Sequence, residues 1–134
     1  PELIRKTQKF TNIIIIALDN VPSEAIHSVA ALLRTKLYNY QLESRTKHES
    51  IVEVLWQGSL KKRMEKAAQR NATHVVLIGE EEIERCVVQL KDMETGNQKE
   101  ISFEALLSLE KICDFLDLPK LDSGLCRNDI SEQP

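Results

Sequence analysis

The sequence predicts an α/β fold: a three-layer α/β/α domain built around a mixed five-stranded sheet. Three observations carry this prediction. Ile13-Ile14-Ile15-Ile16 and the run Val75 to Ile78 are continuous apolar stretches, the pattern of strands covered on both faces. Two segments with apolar residues at helical spacing follow the first of these, from about Ser23 to Tyr38 and from about Ser59 to Arg70. Beyond Val75 to Ile78, the alternating stretch Cys86 to Met93 and the stretch Gln98 to Ser102 flank Thr95-Gly96-Asn97, which is hairpin chemistry. The order strand, helix, strand, helix, strand, hairpin, helix makes the first three strands parallel, joined by right-handed crossovers. The hairpin adds an antiparallel pair.

Each element has a local reason. Residues 1–11 are polar and read as a linker or frayed start, so the domain is expected over 12–116. Asn12 to Leu18 is the first, central strand. Asp19-Asn20-Val21-Pro22-Ser23 is turn and helix-start chemistry. The helix that follows places Ile26, Val29, Ala30, Leu33 and Leu37 on one stripe. Asn39 to Ser50 has no clear period and reads as a loop or a fraying helix end, and Ile51 to Trp56 as the second strand. In the next helix Leu60, Met64, Ala67 and Ala68 form the apolar face. Gly79 ends the third strand, and Glu80, Glu81 and Glu82 form an acidic turn. Phe103 to Leu116 is the last helix, with Ser102 as its cap and Pro119 as its stop. The tail 117–134 has little to bury and is expected to be disordered.

Composition narrows the function classes. A chain of 134 residues fits one domain and can bury a proper core. A net charge of −3 excludes bulk polyanion binding, so any nucleic-acid contact must use a local patch. Lys61, Lys62, Arg63, Lys66 and Arg70 supply one within ten residues. Cys86, Cys113 and Cys126 form no CxxC pair, which points to free thiols in a reducing compartment. His27, His48 and His74 have no ligand spacing with them, so no zinc site is expected. No apolar run is long enough for a membrane span, and no secretion signal is present. Pro1 stands where an initiator Met is absent, so the chain looks like an excised fragment, and a missing N-terminal portion would remove any targeting signal.

Three groups are candidates for binding. Lys61, Lys62 and Arg63 sit in the first helical turn, where the helix dipole disfavours cations by roughly 0.3–1 kcal/mol each. A phosphate held there would reverse that cost; the alternative is an ordinary solvated basic face. Trp56 and Gln57 precede this helix. An aromatic at a strand end can stack on an unpaired base, although a lone Trp is more often packing. The acids Glu80, Glu81, Glu82 and Glu84 read either as general acid/base carboxylates or, as clustered acids on a turn more often are, as solvated charge. No phosphate loop, catalytic triad or paired acid and nucleophile is apparent, so no catalytic residue is assigned.

The ordered set Ser59-Leu60-Lys61-Lys62, Ala67, Gly79-Glu80, Glu82, Val88, Leu90-Lys91-Asp92, Thr95-Gly96 and Gln98 resembles the C-terminal anticodon-binding domain of histidyl-tRNA synthetases, which are class II enzymes. The resemblance is close from about Val52 to Leu107. It implies an anticodon-binding-domain-like fold, histidine-specific tRNA as partner, a cytoplasmic or organellar setting, and a homodimeric parent. It also implies that ATP and Mg serve a catalytic domain upstream, with no cofactor here. By the same resemblance Glu80, Glu81 and Glu82 occupy the family's acidic turn, with Gln57 and Lys61 on the neighbouring loop. Cys86 stands where the family usually has Gly. A retained fold serving as a regulatory or dimerisation module is the alternative.

Overall fold

A computed structural model describes residues 10–18, 20–44 and 48–119. The five strands are β1 (Phe10–Ala17), β2 (Glu49–Leu55), β3 (His74–Ile78), β4 (Val87–Asp92) and β5 (Gln98–Ser102), in the spatial order β2-β1-β3-β4-β5. β1 lies inside the sheet, next to edge strand β2, and pairs in parallel with β2 on one side and β3 on the other, with Ile13 opposite both Val52 and His74. β3–β4 and β4–β5 are antiparallel. This is the mixed five-stranded sheet that the order of elements predicts.

The isoleucine run explains the layering. Successive strand residues point to opposite faces, so Ile13 and Ile15 enter one core while Ile14 and Ile16 enter another, all four fully buried. The first core is closed by helix α1 (Ser23–Glu43) and by the C-terminal helical segment. The second is closed by helix α2 (Leu60–Gln69), with Ala67 packed against Ile14, Ile16, Leu55 and Val75. Each buried isoleucine contributes roughly 1.5–3 kcal/mol.

Several boundaries differ from the sequence reading. β1 begins at Phe10, and Thr11 is buried, so the strand takes in the end of the expected linker; the rest of that linker lies outside the described residues. α1 continues to Glu43 because Tyr40 prolongs the apolar stripe beyond Leu37. The Tyr40 hydroxyl donates to the Pro119 carbonyl at 2.7 Å. The expected last helix is two pieces, a 3-10 turn (Glu104–Leu107) and helix α4 (Leu109–Leu116). Ser102 Oγ accepts from Ala105 N in the first, Ser108 Oγ accepts from Lys111 N in the second, and the extended backbone of Ser108 separates them. Leu107, expected on the apolar side, is 58% exposed. Leu118 is buried in the core, so the folded domain extends past Leu116; residues 120–134 of the expected tail lie outside the described residues.

Buried polar groups gather at the amino ends of the parallel strands. Thr11 Oγ1 lies 2.8 Å from His48 Nε2, and Asn12 bonds to Thr73 and to the Arg70 carbonyl. Burial lowers the pKa of both His48 and His74. Asp92 and Asp117 oppose that shift at His74, and Lys99 adds to it.

Candidate nucleic-acid interface

The opposite edge of the sheet carries the binding candidates. β1, β2 and β3 end side by side there, and each leads into a helix: α1 through Pro22, α2 through Ser59, and the short helix α3 (Glu80–Arg85) through Gly79. Helix N-termini leave N–H groups without intrahelical partners and carry partial positive charge. Ligands of open α/β sheets collect at this edge.

Trp56 follows the last residue of β2 and stays 44% exposed. Its ring meets that of His27 from α1, with centroids 5.4 Å apart and planes tilted by 54°. Gln57 is exposed, and Gly58 turns the chain at φ +99° into α2. That φ is the reason for a glycine at this position. Ser59 caps α2, its Oγ accepting from Lys62 N at 3.2 Å.

The three consecutive cations have separate fates. Lys61 and Lys62 are exposed at the start of α2. Arg63 turns inward and is 8% exposed. Its Nη1 donates to the carbonyl of Ala17 at 2.6 Å and to that of Leu55 at 3.2 Å, tying together the ends of β1 and β2. Arg63 therefore leaves the expected phosphate-binding group. The reason is helical phase: Arg63 lies four residues before Ala67, on the buried face. Leu60 and Ala68, expected on that face, are exposed.

The acids also differ from expectation. Glu80, Glu81 and Glu82 form the first turn of α3 rather than an irregular turn, which suits the positive end of a helix. Glu82 Oε1 accepts from Gly79 N at 2.9 Å, so its carboxylate serves as a cap. A Cβ on Gly79 would lie 2.8 Å from that oxygen and 3.2 Å from Leu18 Cδ1, so a larger residue there would push the Glu82 carboxylate out of its capping position. Glu80 and Glu81 remain exposed. Arg85 reaches Glu81 at 3.8 Å and grips Glu100 on β5 through two bonds of 2.9 and 3.0 Å. Cys86 ends α3 in the left-handed conformation at φ +57°, the geometry that favours glycine.

Of the residues singled out from sequence, Trp56, Gln57, Lys61, Lys62, Glu80 and Glu81 are exposed around the carboxyl ends of the parallel strands. Arg63 and Glu82 are committed to holding that edge together. His27 has no sequence signal; only its ring contact with Trp56 reveals it.

Fold and edge together define an α/β domain with a mixed five-stranded sheet whose three parallel strands end beside three helix N-termini. Residues 13–111 match the anticodon binding domain family, and the chain belongs to that family. Its sequence relatives include the histidine–tRNA ligase of Gluconobacter oxydans, 33% identical over 89 residues that cover 64% of this chain and 19% of the ligase. Another is that of Gluconacetobacter diazotrophicus, 44% identical over 54 residues, covering 40% and 13%. The chain thus spans under a fifth of the length of the ligases it matches. Among solved structures, apo S. aureus histidyl-tRNA synthetase superposes with a TM-score of 0.55 at 19% identity, covering 74% of this chain and 26% of that one. The RNA binding domain of threonyl-tRNA synthetase from Cryptosporidium parvum gives 0.61 at 16% identity, covering 78% and 23%. These superpositions establish the fold.

Proposed function

We propose that this domain recognises the anticodon loop of histidine tRNA, as one part of a histidine–tRNA ligase. The observation that carries the proposal is the company kept at one sheet edge: exposed Lys61 and Lys62 at a helix start, exposed Trp56 and Gln57 beside them, and exposed Glu80 and Glu81 on the neighbouring helix. Cations at a helix N-terminus position a phosphate backbone without reading sequence. Carboxylates repel phosphates, and they suit RNA by accepting from donors on base edges or from a ribose 2′-OH. Guanine presents two such donors, N1–H and N2–H₂, side by side on its Watson–Crick edge, and a histidine anticodon, GUG, contains two guanines. The family match and the names of the sequence relatives support the same reading.

Amino-acid activation belongs, in this proposal, to another part of the ligase, where ATP and Mg act. The domain contributes binding and discrimination. Titration with an anticodon hairpin at several salt concentrations tests it. Binding that weakens with salt, with a slope reduced by up to about 0.7–0.9 per lost phosphate contact in the Lys61→Ala, Lys62→Ala double variant, is the expected result. No binding at low salt would overturn the proposal.

A further inference from the structure

We infer that Trp56 and His27 form a stacking platform for one unpaired RNA base. The inference rests on the RNA-binding reading above and adds a subsite that holds a base by its face rather than its edge. Trp56 leaves the sheet from a fixed point: the carbonyl of Leu55, the residue before it, is held by buried Arg63. Two residues later, Gly58 bends the chain into α2. His27 backs the indole at 5.4 Å, yet 44% of Trp56 stays exposed. A large ring anchored through its backbone and braced on one side has already lost much of its freedom, so stacking costs little further ordering. The exposed cations at the start of α2 follow closely in the chain and serve the phosphates flanking a stacked base. Stacking tolerates any base. The platform therefore holds one base in place, and discrimination falls to edge-reading groups such as Glu80 and Glu81. His27 is a positioning residue that acts through Trp56.

Trp56 is the single tryptophan of the chain, so emission excited where tyrosine does not absorb reports on this position alone. The test titrates the domain with a GUG-loop hairpin, following Trp56 emission and, in parallel, the anisotropy of labelled RNA. Emission is expected to change with the same midpoint as anisotropy. Trp56→Ala is expected to weaken binding by about 5- to 150-fold without altering the salt slope, because no phosphate contact is lost. Trp56→Phe retains most of the affinity. His27→Ala shifts the emission of the free domain and weakens binding less than Trp56→Ala, and His27→Phe restores it. An abasic nucleotide at the stacked position makes wild type and Trp56→Ala bind alike, which identifies the base. Anisotropy that reports binding while Trp56 emission stays constant overturns the platform and leaves RNA recognition standing. No binding at any salt concentration overturns both. The wild-type emission titration decides the matter even if a variant fails to fold.

Discussion

Replacing Arg63 with Met removes the clip between β1 and β2 while keeping most of the side chain's apolar length. Two buried-side carbonyls, of Ala17 and Leu55, then lose a charged donor. A hydrogen bond from a charged group contributes about 1.5–3 kcal/mol. The 2.6 Å bond to Ala17 counts in full and the 3.2 Å bond to Leu55 at the weak end. Relief from desolvating the guanidinium offsets part of the loss, and Arg63 Nε has no hydrogen-bond partner among the described residues. The net expectation is a destabilisation of about 2–4 kcal/mol, which lowers the urea midpoint by roughly 1–3 M. Arg63→Lys should recover only part, since an ammonium cannot reproduce the planar fork. The assay is urea unfolding followed by far-UV circular dichroism, paired with the salt slope of RNA binding. Arg63→Met should lower stability and leave the slope unchanged. A loss under about 0.5 kcal/mol together with a shallower slope would refute the inward clip and return Arg63 to the phosphate-binding group.

Four further outcomes follow from the same geometry. Cys86→Gly relieves a left-handed residue and should stabilise the domain by about 0.5–1 kcal/mol, read by thermal or urea unfolding; destabilisation would contradict the strain argument. Ile14→Ala and Ile15→Ala each empty a different core layer and should each cost about 2–5 kcal/mol by the same measurement. Glu82→Ala should cost about 1 kcal/mol of stability with base discrimination preserved, whereas Glu80→Gln or Glu81→Gln should narrow the guanine preference by roughly 1–3 kcal/mol in competition binding. Stability should fall as pH drops below the ordinary histidine value of 6.5, because buried His48 and His74 have lowered pKa values and the unfolded chain takes up their protons first. The loss ends once pH passes below the folded pKa values, nothing changes from this source above 6.5, and unfolding of His48→Gln across this range should show a flatter profile.

The sheet was legible in the sequence because its evidence is local and repeated. A four-isoleucine run has no polar face to expose, so it demands cover on both sides, and Thr95-Gly96-Asn97 between alternating segments specifies a hairpin. The site was half legible. Exposed Lys61 and Lys62 and inward Arg63 are adjacent cations that composition cannot distinguish; the distinguishing signal is the spacing of Arg63 to Ala67. Leu60 misled the assignment of that face, since it begins the helix and stays exposed. The acids after Gly79 carry their own helix signal, a glycine followed at the third helical position by Glu82, which a reading as loose acidic turn passes over. The contact between His27 and Trp56 joins residues on different elements, and no local pattern encodes it. The break at Ser108 is similar: its extended backbone separates two capped segments whose apolar residues look continuous.

Whether this sheet edge reads guanine in an anticodon loop is decided by competition binding. Wild-type domain is offered two hairpins of equal length and stem, one with a GUG loop and one with both loop guanines replaced by adenines. The domain is expected to prefer the GUG hairpin clearly, with that preference narrowed by roughly 1–3 kcal/mol in Glu80→Gln or Glu81→Gln and kept in the Lys61→Ala, Lys62→Ala variant despite its weaker binding. Equal affinity for the two hairpins, unchanged by any of these substitutions, would contradict guanine reading at this edge.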